Sequence, residues 1–326
     1  MAKKLRWGIL GCGRIAGALA GGLAISQTSE LVAVASRDAA KAEAFGRQHG
    51  ARKFHGSYED LASDPDVDAV YVATVHPLHA ENTIMCLQAG KHVLCEKPFA
   101  MNAAQAEAMI AAARKHSRFL MEAMWTRFLP NMVRLRELLA GGAIGQVQMV
   151  QADFGYRAGP DPRGRALDPS LGGGALLDAG IYPLSLASMI LGKPAEVTGV
   201  AHLGETGVDE QFVAAMRYDG GRVAMASGAV RTNTHKQAWV LGTEGQILLE
   251  PGWWGGSKLI LMRPYRKEEI EFEYAANRYV YEVDELARCV AAGKAESEVM
   301  PLGETLELMR TMDTLRGLWG LKYPNE

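Results

Sequence analysis

Several short constellations in this chain could carry chemistry: Gly11-Cys12-Gly13-Arg14-Ile15-Ala16, Ser36-Arg37-Asp38, Glu96-Lys97-Pro98 and Asp178-x-Gly180-x-Tyr182. The first follows the apolar run Leu5 to Leu10 and leads into the small-residue stretch Gly17 to Ala24, which predicts a strand, a tight turn and a helix. Gly11 permits the turn, Gly13 lets the backbone approach a pyrophosphate, and Ala16 allows close packing of helix on strand. Arg14 and Ile15 then open a helix whose free N–H groups and dipole favour an anion. A lone motif of this type also fits an ordinary glycine-rich loop. The run Glu30 to Ser36 supplies a second strand at the distance a strand, helix, strand unit requires, and that favours a bound dinucleotide.

At the end of that second strand a carboxylate would hydrogen-bond the adenosine ribose of NAD, and the chain offers Ser36 and Arg37 before it reaches Asp38. A guanidinium pairs with a 2′-phosphate in a fork geometry, whereas a carboxylate repels it. The expectation is therefore NADP, with NAD as the alternative if Asp38 takes the ribose and Arg37 is a solvated surface residue. Lys97 is expected at the carboxyl end of a later strand, where such sheets present their ligands. Glu96 points the other way on an extended backbone, toward cofactor ribose or structure.

On a helix Asp178 and Tyr182, four residues apart, share a face. Removing hydride from a carbinol carbon needs a base for the hydroxyl proton, and a phenol with an ordinary pKa of about 10 can serve if a nearby ammonium lowers it. A shift of about two units corresponds to roughly 3 kcal/mol, within reach of Lys97 and an oxidised nicotinamide. Lys97, Asp178 and Tyr182 are thus the candidate catalytic residues. Spacing alone fits Asp178 as a helix cap and Tyr182 as a packing residue better than it fits a site.

These residues must be carried by more than one domain, since 326 residues exceed what one core usually holds. The first half alternates strand and helix: a strand Asp68 to Thr74, a helix Ala80 to Ala89, a strand His92 to Cys95, a helix Ala103 to His116 and a strand Phe119 to Ala123. That rhythm predicts a parallel sheet with helices on both faces, a Rossmann domain over residues 1–123. Trp125 to Phe128 would be a hinge. From Gly145 the pattern turns to period two, in runs such as Gln146 to Phe154, Phe212 to Arg217, Arg222 to Ala229, Gln237 to Gly242, Ile247 to Glu250, Leu259 to Arg263 and Ile270 to Tyr274. Gly220-Gly221 marks a hairpin. Residues 124–326 are expected to form an α+β domain with a large open, mostly antiparallel sheet, closed by helices over Arg278 to Ala292 and Gly303 to Trp319. The last helix is a candidate to pack back on the first domain.

A formal net charge of −2 gives no general attraction to nucleic acid or acidic membranes, and a hydrophobic content of 48% excludes wholesale disorder. No apolar run is expected to span a membrane, and the glycines after Leu10 fit a phosphate loop better than a signal peptide. Cys12, Cys86, Cys95 and Cys289 show no paired spacing, which predicts reduced thiols and a cytoplasmic setting. His76 and His79 lack a third ligand at a recognisable spacing, so no metal is expected. A large antiparallel sheet leaves one face open unless another layer covers it, so a homodimer packed sheet on sheet is expected.

Through Gly11 to Ala16, Glu96-Lys97-Pro98 and Asp178-x-Gly180-x-Tyr182, the chain resembles the glucose-fructose oxidoreductase/inositol dehydrogenase/MocA family over its whole length. Within that family it is most similar to the dimeric dihydrodiol dehydrogenases, which also act as NADP-dependent D-xylose dehydrogenases, through Gly56 to Leu61, Leu94 to Pro98, Met121 to Phe128 and Gly172 to Tyr182. The resemblance implies a Rossmann domain, a dimerising second domain, and oxidation of an aldose hydroxyl or cyclic vicinal diol with NADP. It assigns the proton to Tyr182 and the motif lysine to Lys97, and it implies an aromatic substrate wall of Trp125, Phe154 and Trp254. Thr74, His76, His79, Lys97, Trp125 and Arg127 join the expected cofactor contacts. Relatives usually read Thr-Pro-Asn where this chain has Thr74-Val75-His76, which leaves the role of His76 open.

Overall fold

The computed structural model describes residues 4–324 and divides into two units. The first comprises Met1–Phe128 with Tyr274–Thr305, and the second Leu129–Glu273 with Leu306–Glu326. The boundary drawn from the sequence at 123/124 marks the end of a strand. The first unit runs on through the 3₁₀ turn Trp125–Phe128, expected as a hinge, and recruits a helix from the far end of the chain.

In the first unit, β1 (Leu5–Leu10), α1 (Arg14–Ile25), β2 (Ser29–Ala35), α2 (Ala39–His49), β3 (Lys53–His55), α3 (Tyr58–Ser63), β4 (Ala69–Val72), α4 (His79–Gln88), β5 (His92–Glu96), α5 (Ala103–Lys115) and β6 (Leu120–Ala123) follow in order. All strand pairs are parallel, in the order β3-β2-β1-β4-β5-β6. The strand order reverses between β1 and β4, and ligands of such sheets bind outside the carboxyl ends at this point. The central strands are buried on both faces, which explains why Ile9, Leu10, Val70, Val72, Val93 and Leu94 form apolar runs without alternation.

The second unit holds α6 (Pro130–Ala140), β7 (Val147–Gly155), α7 (Ile181–Leu191), β8 (Glu196–Leu203), β9 (Asp209–Arg217), β10 (Val223–Ala229), β11 (Ala238–Gly242), β12 (Gln246–Leu249), β13 (Lys258–Arg263) and β14 (Arg266–Glu271). The strands form one sheet ordered β14-β13-β12-β11-β7-β10-β9-β8, antiparallel except where β7 meets β10. The Gly220-Gly221 turn joins β9 to β10 as expected. β8 was not anticipated, and β14 begins earlier than the Ile270 to Tyr274 run suggested; both are edge strands, and β14 is almost wholly charged.

Register divides the two faces of this sheet. One row runs Ala214, Ala226, Ala152, Ala238, Leu249 and Leu259, all buried. The adjacent row runs Thr198, Ala215, Met225, Gln151, Trp239, Leu248, Ile260 and Glu269, with Val200 paired to Val213 nearby. Val200 is 73% exposed, Val213 48% and Met225 45%, so this second face is open and apolar along β8, β9 and β10.

The chain closes with α8 (Val280–Ala291), which packs on α1 in the first unit, and α9 (Leu302–Trp319), whose first residues belong to the first unit and the remainder to the second. Contrary to the expectation from the sequence, one stretch, Pro169–Leu191, has the length and hydropathy of a membrane span. Its most apolar window is 83% buried inside the protein, as suits a core helix.

Candidate active site

The first unit gathers its candidate residues at the carboxyl ends of its strands. Gly11, after β1, has φ +97°, and a Cβ there would lie 2.7 Å from the Ala73 carbonyl oxygen, so the turn requires glycine. Gly13 precedes α1 with no side-chain cap on that helix, and a Cβ built on Gly13 would meet nothing within 4 Å. The amides of exposed Arg14 and half-buried Ile15 therefore open α1 beside unfilled space, an arrangement that fits a diphosphate.

After β2, Ser36 is buried and its hydroxyl accepts from the Asp38 amide at 3.2 Å. The Asp38 carboxylate caps α2 by accepting from the Lys41 amide at 3.1 Å. Asp38 thus has a structural use, while exposed Arg37 faces the Tyr58 hydroxyl. Burial pushes the Tyr58 phenol up, and Arg37 opposes that rise. This geometry fits a guanidinium, rather than a carboxylate, at the adenosine ribose.

After β4, Thr74 accepts from the Asn82 side chain at 3.2 Å. The buried His76 opens a 3₁₀ turn and meets His79 edge to face at 5.6 Å. His79 is fully buried, with Nδ1 2.8 Å from the Pro98 carbonyl oxygen and Nε2 3.1 Å from that of Thr74. Where the sequence suggested a direct ligand contact, this geometry has His79 holding two site loops in place.

Glu96 and Lys97 stand at the end of β5, and the Lys97-Pro98 bond is cis. Glu96 accepts from the Tyr71 hydroxyl with one oxygen and from the Lys97 amide, at 3.0 Å, with the other. Of the two roles open to Glu96, these bonds supply the structural one. Past β6, Trp125 packs against Tyr279 at 5.2 Å. Arg127 is buried, pairs with Glu304 at 2.6 Å and donates to the Val299 carbonyl. Its position was expected to serve the cofactor, and the ion pair gives its guanidinium a structural use within this unit.

In the second unit the remaining candidates come together. Asp178 lies in a π turn, Leu176–Gly180, that runs into α7, and Tyr182 lies in the first turn of α7. Gly180 is needed because a Cβ would fall 2.4 Å from the Phe212 ring of β9, so the turn sits flush on the sheet. Phe154, from β7, stacks on Trp254 at 3.7 Å and meets Tyr182 at 5.2 Å. Asp178 accepts from the Tyr156 hydroxyl and from Arg165 at 2.8 Å, so it is not a helix cap. The result is a phenol, a carboxyl group and an aromatic wall in one place, the groups that orient a ring bearing several hydroxyls.

Sequence reasoning missed the residues that hold this arrangement. Tyr156 lies just past the end of β7, two residues beyond Phe154, with their rings 6.3 Å apart, a signal that period two could have supplied. Arg165 comes from an irregular loop and carries no such signal. Asp209 is fully buried and accepts from the Leu176 amide at 2.6 Å, anchoring the start of the helix that bears Asp178 and Tyr182. Burial pushes its carboxyl up to about 7, outweighing the backbone amides and Arg316.

The chain matches the family model described as "Oxidoreductase family, NAD-binding Rossmann fold" over residues 5–124 and the GFO/IDH/MocA C-terminal domain over residues 132–248. It is 38% identical over 329 residues to trans-1,2-dihydrobenzene-1,2-diol dehydrogenase of Xenopus tropicalis, covering 98% of this chain and 99% of that protein. The human enzyme of the same name is 36% identical over 333 residues, 99% of each chain. Among solved structures, the aldose-aldose oxidoreductase of Caulobacter crescentus, complexed with glycerol, superposes with a TM-score of 0.89 at 28% identity over 97% of each chain. A 3-ketoreductase from Actinomadura kijaniata in complex with NADP and TDP-benzene superposes with a TM-score of 0.85 at 27% identity, over 97% of this chain and 98% of that one. With the glycine turn, the Glu96-Lys97-Pro98 strand end and the Asp178 to Tyr182 turn all in place, the chain belongs to the GFO/IDH/MocA family of NAD(P)-linked oxidoreductases.

Proposed function

We propose that this protein is an NADP-dependent dehydrogenase acting on a ring hydroxyl of an aldose or a cyclic vicinal diol, the D-xylose, D-glucose or trans-dihydrodiol type of substrate. The observation that carries this reading is the cluster in the second unit: Tyr182 beside the Phe154–Trp254 wall, with Asp178 fixed by Tyr156 and Arg165. Such a wall takes the apolar face of a ring, while the carboxylate and phenols take its hydroxyls. NADP, when bound, supplies the nicotinamide that exchanges hydride with the substrate carbon. Tyr182 exchanges the hydroxyl proton, and Lys97 is its electrostatic aid. Gly11, Gly13, Arg14 and Ile15 would hold the diphosphate, and Ser36 and Arg37 the 2′-phosphate. The Asp38 cap on α2 supports NADP over NAD, because that carboxylate is already in use.

The test is absorbance at 340 nm with NADP or NAD against aldoses, anhydro sugars, inositols and a trans-dihydrodiol. Tyr182→Phe is expected to keep NADPH affinity and lose about two or more orders of magnitude in turnover. An unchanged rate would remove the proton from Tyr182.

The likeness to an aldose-aldose oxidoreductase favours a second reading, in which NADP stays bound and hydride passes between two sugars. A protein that purifies with the absorbance of its cofactor and turns over only sugar pairs would establish it. A third, non-catalytic reading as an NADP-binding redox sensor has less support, since a sensor needs no proton carrier. We further propose a homodimer through the open face of the second sheet, supported by the exposed Val200, Val213 and Met225. The four free thiols, all buried, support a reducing, cytoplasmic setting.

A further inference from the structure

The Lys97 segment is held at each backbone group after the lysine. The Pro98 carbonyl lies 2.8 Å from His79, and the Phe99 carbonyl accepts from the Cys95 thiol at 3.5 Å. The Phe99 amide donates to Glu122 Oε1 at 3.1 Å, while the Thr305 hydroxyl donates to Glu122 Oε2 at the same distance. Glu122 is on β6, in register with Cys95 on β5, and both Glu122 and Thr305 are fully buried. Both donors point at the carboxyl, so the geometry asks for two acceptor oxygens at once; an amide in its place keeps one acceptor and must turn the other contact round.

We propose that Glu122 is a positioning residue for Lys97: its carboxyl clamps the Phe99 amide to the Thr305 hydroxyl, and its ionisation tightens the segment that presents the lysine. The inference rests on the reading of Lys97 given above.

Burial pushes the Glu122 carboxyl up to about 7, against the lowering pull of Thr305, Phe99 and Arg127. The charged and titratable groups facing it are Arg127 from the 3₁₀ turn after β6, Glu304 from α9 and Cys95 from β5. Arg127 also pairs with Glu304, so the two carboxyls share its charge. Ionised, the carboxylate accepts from both donors through charge-assisted hydrogen bonds. Protonated, one oxygen donates to the Thr305 hydroxyl and the other keeps the Phe99 amide, so the fold survives while the grip weakens. The proton thus moves on or off Glu122 without breaking the chain's contacts.

Glu122→Gln preserves the acceptor for Phe99 and a donor for Thr305 but cannot ionise, which fixes the clamp in its neutral form. The experiment is NADPH affinity by fluorescence titration from pH 5.5 to 8.5, with kcat and KM over the same range where a substrate is known. Wild type should gain roughly fivefold in affinity or turnover as Glu122 ionises, the difference between a neutral and a charge-assisted hydrogen bond, and Glu122→Gln should stay at the low-pH level. Superposed profiles for the two proteins would overturn the proposal. The affinity arm needs no turnover, so a protein that binds NADPH but oxidises nothing would refute the dehydrogenase reading while still deciding the clamp.

Discussion

Replacing Asp209 with asparagine should stabilise the protein more at pH 8 than at pH 5. In the folded chain its carboxyl rises from its ordinary 3.8 to about 7, chiefly through burial. A carboxyl raised in this way favours the folded state only while it is protonated, so its contribution worsens as the pH climbs through 3.8 and levels off above 7. At about 1.4 kcal/mol for each factor of ten in proton affinity, ionising Asp209 costs about 4 kcal/mol more in the folded chain than in the unfolded one. At pH 5 the unfolded carboxyl has already lost its proton and the folded one has not, which accounts for roughly 1.7 kcal/mol; at pH 8 the whole penalty applies. Asparagine has no proton to lose and still offers an oxygen to the Leu176 amide. However well the amide fits, that fixed term cancels between the two pH values, and the gap between variant and wild type should widen by about 2–3 kcal/mol. Urea unfolding at both pH values, followed by the fluorescence of Trp253, Trp254 and Trp319, measures it. A gap that is constant or narrows would show that the buried carboxyl is not what sets the stability of the helix start.

Arg37→Ala should weaken NADP by about tenfold to a hundredfold, the loss of a charge-assisted bond to phosphate, and change NAD little; equal weakening of both would return the ribose contact to Asp38. Gly11→Ala should cost at least about 1–2 kcal/mol in the urea midpoint from its left-handed backbone alone and also impair NADPH binding, since its methyl would meet the Ala73 carbonyl; a silent substitution would mean that the turn can relax. Val213→Glu, at the centre of the open sheet face, should convert a dimer to monomers in sedimentation without unfolding the chain. A variant that keeps the wild-type mass would remove that face from the interface.

Much of the first unit was legible because its motifs are local. The glycine turn, the strand ends at Ser36 and Lys97 and the alternation of strand and helix each occupy a short span, and a parallel sheet writes its buried strands as unbroken apolar runs. The second unit was legible in its hairpins and less so at its edges. β8 carries Gly199, Ala201 and His202 in a weakly alternating pattern, and β14 is almost wholly charged, as an exposed edge strand must be to avoid pairing with other chains. The π turn at Asp178 was not legible either, because it depends on Gly180 meeting the Phe212 ring of a distant strand.

By itself, then, the amino-acid order determined the dinucleotide turn, the choice of residues after β2 and β5, and the pairing of an acid with a phenol near Gly180. The hydrogen bonds and packing that surround those residues were decided only by tertiary structure. Spacing cannot show that His79 is set between the Thr74 and Pro98 carbonyls, nor that Arg127 pairs with Glu304. Nor could it find Glu122 and Asp209, whose partners Thr305 and Leu176 are far away in the chain. Their proton affinities are set by the water they have lost, and burial of that kind exists only once the chain has folded.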